Sequence, residues 1–129
     1  GFQYCTSFLS PAEFEAVRSE CRSLYSKMGK EDNVLTKGRL GLCLDSRSLT
    51  HKTLMSDAMA AKVARLVGRD LQPCDDPVTM CCYRVGSSMD SHRDDAIYDP
   101  PQTAAILTLE NSADYYTEVV GANGQPERI

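Results

Sequence analysis

The first part of the chain carries the hydrophobic spacing of an amphipathic helix. Residues 10–13 combine a hydroxyl cap at Ser10, a proline in the first turn and a glutamate, Glu13, that completes a capping box. Apolar side chains then recur at steps of three and four residues, at Phe14, Val17, Cys21, Leu24 and Met28. Gly29 follows as a stop. The pattern predicts a helix over residues 11–28 with one buried face.

Further along, alternation and helical spacing predict a strand, a second helix and then several strands. Residues 30–38 are polar and predict a loop, and the alternating leucines of residues 39–44 predict a strand with one buried face. A second apolar stripe predicts a helix over residues 52–67, closed by Gly68. Three later runs predict strands, at 78–83, 104–109 and 115–120.

The order of these elements indicates the fold class. A helix, a strand and a second helix are followed by consecutive strands with short connections, which is typical of an α+β fold with two helices packed on an antiparallel sheet. The 129 residues correspond to a single domain, and the chain has no internal repeat or long linker. We therefore expect one α+β domain over residues 1–129.

Charge and hydropathy exclude two classes of protein. Fourteen basic residues against eighteen acidic ones give a net charge of −4, which argues against a protein that binds the phosphate backbone of nucleic acids. No run of about 18 apolar residues occurs, so the sequence predicts no membrane span.

The cysteines and the chain ends bear on location. None of the six cysteines lies in a C-x-x-C pair, and neither His51 nor His92 completes a zinc pattern, so we expect reduced thiols in a reducing intracellular compartment. The first residue is Gly1 rather than methionine, which suggests a processed chain, for example one in an organelle such as the chloroplast after removal of a transit peptide. A turn at 121–124 just before the last residues suggests that the sequence belongs to a longer polypeptide.

The most informative chemistry lies in an H-x-D pair, His92 and Asp94, after a strand and a glycine turn. Residues i and i+2 of an extended segment lie on the same side, so both side chains can reach one cation. An imidazole and a carboxylate suit divalent iron or manganese. The alternative is a surface loop whose aspartates are solvated or paired with Arg93.

The surroundings of this pair resemble a known superfamily. Residues 82–86, Cys-Tyr-Arg-Val-Gly, precede the H-x-D pair, and the threonine-containing run 103–111 follows it. This arrangement resembles the 2-oxoglutarate/Fe(II) dioxygenases, especially their prolyl-hydroxylase-like branch. Residues 8–14 are similar to the helix entry of that branch. The resemblance covers about residues 8–120 and is most specific in the central forty.

The resemblance implies a fold, cofactors and roles for four residues. The fold would be part of a double-stranded β-helix of jelly-roll type, and the reaction an oxidative hydroxylation that uses Fe(II) and 2-oxoglutarate. By this resemblance His92 and Asp94 are metal ligands, while Tyr83 and Thr108 lie near the cosubstrate. For the latter two residues the alternatives are a strand aromatic with its hydroxyl at the sheet edge and an ordinary strand threonine.

The sequence also departs from the family, and two hypotheses remain. The family's third ligand is a later histidine followed by a basic residue, but no histidine follows His92, and Arg128 is the only basic residue after Arg93. In the first hypothesis an oxygenase domain is completed by sequence outside these residues or by a neighbouring chain. In the second, the chain is a non-catalytic accessory subunit of a larger complex, organellar for example, and a protein partner covers its open sheet edge.

Overall fold

The helices of the protein lie in the first half of the chain. The computed structural model describes residues 2–112 and 115–129. Helix α1 spans Pro11–Leu24 and continues as a 3-10 turn over Tyr25–Lys27. Helix α2 spans Leu49–Leu54, and α3 spans Asp57–Val67. None of the helices among the described residues is long and apolar enough to span a membrane.

Seven short strands accompany these helices in the described residues. They are β1 (Gly29–Glu31), β2 (Thr36–Lys37), β3 (Arg39–Cys43), β4 (Thr79–Cys82), β5 (Ser88–Met89), β6 (Glu118–Val120) and β7 (Pro126–Arg128). They form an antiparallel sheet in the order β1-β3-β4 and two antiparallel pairs, β2-β5 and β6-β7. The α+β class is therefore confirmed, with three helices rather than two in the described part of the chain.

The capping box predicted at the start of α1 is present. The Ser10 hydroxyl accepts from the Glu13 amide at 3.2 Å, and the Glu13 carboxylate accepts from the Ser10 amide at 2.9 Å. These hydrogen bonds hold the pKa of Glu13 below its ordinary value. The predicted helix over 11–28 is confirmed as far as Leu24, and its last residues form the tighter 3-10 turn.

The second helix predicted over 52–67 is instead two helices, because a serine interrupts it. The Ser56 hydroxyl donates to the carbonyl of Thr53 at 2.9 Å and accepts from the amide of Met59 at 3.2 Å. The side chain thereby caps the start of α3, where the backbone turns away from α2. Gly68 has a φ of +70° and ends α3 as the sequence predicts.

Strand β1 lies where the polar composition predicted a loop, so that prediction was wrong. Gly29, Lys30 and Glu31 pair in register with Gly41, Leu40 and Arg39 of β3. The side chains of Glu31 and Arg39 also form an ion pair, with Nη2 and Oε2 2.7 Å apart. The strand is thus stabilised by its neighbour and not by apolar alternation.

The strand predicted at 104–109 is absent, and only the end of the one predicted at 115–120 forms, as β6. Leu107 and Leu109 still pack against the helical core, whereas Ile106 is 85% exposed. Alternating side chains therefore reach the core, but the segment has no backbone ladder with another strand. Apolar alternation alone cannot supply that partner.

The core joins α1 and α3 to the sheet. Four side chains form its buried centre, namely Leu9, Val17, Cys21 and Met59. Met80 of β4 packs against them together with Phe8 and Phe14. Burial raises the pKa of the Cys21 thiol, so this cysteine is held in its neutral form. The core is small, which makes each of its members important for stability.

Candidate metal site at His92 and Asp94

The segment that carries the H-x-D pair is positioned by the β2-β5 pair and by the turn before it. The turn is closed by a hydrogen bond from the Ser87 amide to the Arg84 carbonyl at 2.9 Å. Gly86 adopts a φ of +83°, which a side chain would strain. The Ser87 hydroxyl donates to the carbonyl of Gly38 at 2.9 Å, which ties the turn to the chain before β3.

After β5 the chain leaves the sheet in an extended conformation. The Asp90 amide donates to the carbonyl of Leu35 at 2.8 Å, which extends the β2-β5 ladder by one bond. Residues 91–97 then have no regular secondary structure and are exposed. The H-x-D pair therefore lies on an open segment that begins at an anchored point.

The structure brings His92 and Asp94 together. His92 Nε2 lies 3.4 Å from Asp94 Oδ1, and His92 Nδ1 lies 2.9 Å from the carbonyl oxygen of Asp90. A carbonyl only accepts, so the second contact places a proton on Nδ1. In the neutral ring Nε2 then carries a lone pair that faces the carboxylate. Two electron-rich atoms face each other in this tautomer, and a cation between them would stabilise the arrangement.

The alternative pairing of Asp94 with a neighbouring arginine is not seen among the described residues. The basic side chain that lies close to Asp94 there is His92, and neither Arg93 nor Arg84 lies within ion-pair distance of the carboxylate. The role of His92 and Asp94 as metal ligands stays a prediction, and their geometry is compatible with it.

The donor set fits a metal in kind but not in number. Imidazole nitrogen and carboxylate oxygen are suitable ligands for divalent iron or manganese. Within residues 2–112 and 115–129, no group of three His, Cys, Asp or Glu side chains is placed to hold a metal ion. His51, the other histidine, lies in α2. Two protein ligands are therefore available at this site.

Tyr83, the residue predicted to bind the cosubstrate, directly follows β4. Its hydroxyl donates to the sulfur of Met89 at 3.3 Å and accepts from Arg39 Nη1 at 3.2 Å. The Arg39 guanidinium also lies 5.8 Å from the centre of the Tyr83 ring. Since a thioether is a weak acceptor, the hydroxyl proton is available to a stronger one.

Arg39 is a residue near Tyr83 that the sequence reasoning missed. Its side chain is only 16% exposed and is held by Glu31 on β1. Partial burial by itself lowers the pKa of Arg39. The Tyr83 hydroxyl, the Cys81 sulfur and the Glu31 carboxylate together raise it by a larger amount, so the net shift of the pKa is upward. The sequence feature that could have revealed Arg39 is its position opposite Glu31 in the β1-β3 pair. That register is known only when residues 29–31 are recognised as a strand.

Gly41 explains how the Glu31 carboxylate fits above the sheet. A Cβ atom on Gly41 would lie 2.1 Å from Glu31 Oε1, so the carboxylate occupies the space that a side chain would take. Glycine at this position therefore allows the Glu31–Arg39 pair to form on the face of β3.

Thr108 does not lie on a strand, contrary to what the resemblance implies. It is exposed on the 104–109 segment, which makes no ladder. The strand on which this position was expected is absent, and the role of Thr108 near the cosubstrate stays a prediction.

Comparison with known proteins finds no match: no protein-family model, no curated protein and no solved structure is significantly similar to the chain. Support for a function therefore comes from the residues quoted above and from their geometry.

Proposed function

We propose that the chain is part of a 2-oxoglutarate/Fe(II) dioxygenase-like domain in which His92 and Asp94 hold divalent iron. The domain would hydroxylate a substrate whose identity the site does not specify. In this proposal the antiparallel strands described above belong to a double-stranded β-helix of jelly-roll type. The observation that carries the proposal is the 3.4 Å approach of His92 Nε2 to Asp94 Oδ1, with Nδ1 anchored on the Asp90 carbonyl.

Each residue has a defined task in this proposal. The hydrogen bond at Nδ1 orients the ring of His92 and leaves Nε2 as the nitrogen that faces the metal position, as is usual for histidines that bind metals. The Asp94 carboxylate contributes one negative charge toward balancing the ion. When bound, iron would activate dioxygen, which is the oxidant that hydroxylates the C–H bond, and 2-oxoglutarate would supply the other two electrons as it is converted to succinate and CO2. Tyr83 can turn its hydroxyl proton from the Met89 sulfur to a carboxylate of the cosubstrate.

The proposal needs a third ligand that these residues do not supply. No histidine follows His92 in the sequence. We therefore assign metal binding to this chain and no catalytic residue, and we assign the missing ligand to a longer form of the chain or to a neighbouring molecule. Two protein donors leave most of the coordination sphere of the ion open, so affinity in this fragment should be low.

Titration calorimetry with Mn(II), and with Fe(II) under anaerobic conditions, tests the proposal. We expect one weak site that becomes tighter when 2-oxoglutarate is added, because the cosubstrate contributes two further donors. His92→Ala and Asp94→Ala should each remove the heat of binding. Binding should also weaken as the pH falls, since protons compete with the metal for Nε2.

His51→Ala is the matched control, because it removes the other histidine of the chain without touching the site. It should bind metal as the unmodified protein does. Equal heats for the unmodified protein and for His92→Ala would reject the metal site.

A second candidate function is supported by the exposed apolar side chains. Val34, Val85 and Ile106 are 90%, 93% and 85% exposed. In the described part of the chain, β1 and β4 each lie at an edge of the three-stranded sheet. Unpaired edges and exposed apolar residues favour a covering partner, as expected for a non-catalytic accessory subunit of a larger assembly.

Sedimentation velocity distinguishes this second function. If the chain is an accessory subunit, the isolated protein should self-associate as its concentration rises, and Ile106→Lys should suppress that association. A stable monomer over the same concentrations would count against the accessory role and leave the metal-binding proposal as it stands.

A further inference from the structure

The helices line a surface cavity. Its lining residues are distant in sequence from the H-x-D segment. It has a volume of about 750 Å³, within the usual range for sites that bind small molecules. Its walls come from α2, from α3 and from the loop before α2, with Glu13 of α1 at one side. Neither His92 nor Asp94 lines it.

The cavity concentrates positive charge in a chain whose net charge is −4. Four cationic side chains line it, namely Arg47, Lys52, Lys62 and Arg65. One acidic side chain, Glu13, also lines it, and Asp45 neutralises Arg47 through two hydrogen bonds of 2.8 and 2.9 Å. Two positive charges therefore remain in excess.

The excess charge is centred on two exposed residues. Lys62 is already engaged, because its Nζ donates to the Phe8 carbonyl at 2.9 Å and lies 5.1 Å from the centre of the Phe8 ring. The ion pairs found among residues 2–112 and 115–129 include neither Lys52 nor Arg65. These two side chains are free to bind an anion.

The rest of the lining is largely apolar. Leu49, Ala58, Met59 and Ala61 contribute to the cavity surface. A bare inorganic ion would leave this surface in contact with water, whereas a ligand with an apolar body would cover it.

We propose that this cavity binds a small phosphate monoester with an apolar body. The phosphate group carries close to two negative charges at neutral pH, which matches the two positive charges in excess. The planar guanidinium of Arg65 can bind two phosphate oxygens at once, and Lys52 adds a second charge. The site is separate from the proposed metal centre and does not depend on it.

Titration calorimetry with phenyl phosphate at low salt tests the inference. We expect saturable binding with one site per chain. Inorganic phosphate, which lacks the apolar body, and benzoate, which carries a single charge, should each bind more weakly. Lys52→Ala and Arg65→Ala should each weaken the binding of phenyl phosphate about tenfold.

Lys27→Ala and Arg84→Ala are the matched controls, since each removes one exposed positive charge outside the cavity. They should leave the affinity for phenyl phosphate unchanged. The inference is overturned if no saturable binding occurs, if the controls weaken binding as much as the cavity variants do, or if benzoate binds as tightly as phenyl phosphate. None of these results bears on metal binding, which is measured with Mn(II).

Discussion

Replacing Met59 with alanine is expected to lower the free energy of unfolding by about 2–5 kcal/mol. Met59 is 6% exposed and belongs to the buried centre of the core, between α3 and α1. The substitution removes apolar surface from the core and leaves a cavity that its neighbours can fill only partly. Since small domains are stable by only about 5–15 kcal/mol, a large share of the stability would be lost.

Urea denaturation followed by circular dichroism measures this effect. Met89→Ala is the matched control, because Met89 is 37% exposed and its replacement should cost less than about 1 kcal/mol. If both substitutions destabilised the protein equally, the assignment of Met59 to the centre of the core would be wrong.

Replacing Glu20 with alanine is expected to cost about 1–3 kcal/mol, because this residue links two helices. Glu20 lies in α1, and its carboxylate accepts hydrogen bonds from the amides of Leu49 and Thr50 at 3.0 and 2.6 Å. These amides belong to the first turn of α2, where no carbonyl of the same helix is available to them. Alanine would leave both donors without that partner and would loosen the packing of α2 on α1.

The contribution of Glu20 should depend on pH in a defined direction. Burial by itself raises the pKa of Glu20. Hydrogen bonds from the Thr50 side chain and from the Thr50 and Leu49 amides together lower it by a larger amount, so the pKa in the folded protein lies below the ordinary value of 4.5. A folded-state pKa below the unfolded value means that the stabilisation is complete above about pH 4.5. It is lost as the pH falls through the lower, folded-state pKa.

Thermal or urea unfolding at a series of pH values tests both points. The difference in stability between the unmodified protein and Glu20→Ala should be constant near neutrality and should shrink in acid. Glu15→Ala is a suitable control, since Glu15 is exposed on the same helix and its contact with Arg18 is a long 3.7 Å. A difference that did not change with pH would contradict the proposed role of the carboxylate.

Local interactions explain which parts of this protein could be predicted without the structure. The capping box of Ser10 and Glu13 spans four residues, and the end of α3 at Gly68 depends on one backbone angle, so both could be predicted. The approach of His92 to Asp94 has the same origin, because residues two apart in an extended segment lie on the same side.

Interactions between distant residues explain the rest. Strand β1 exists because Glu31 and its neighbours pair with β3, although its own residues are polar. The 104–109 segment has the alternation of a strand but no partner, and Thr108 therefore lies outside any ladder. The break between α2 and α3 depends on the hydrogen bonds that Ser56 makes in the folded chain.

The sequence by itself therefore determined the α+β class, the main helices and the pairing of His92 with Asp94. Only the tertiary structure decided which extended segments became strands and how Arg39, held by Glu31, came to lie beside Tyr83. It also decided where the cationic side chains gathered between α2 and α3. The physical reason is that helix caps and i,i+2 contacts are satisfied within a few residues. Ladder hydrogen bonds and charge clusters, in contrast, need partners that only the folded chain brings together.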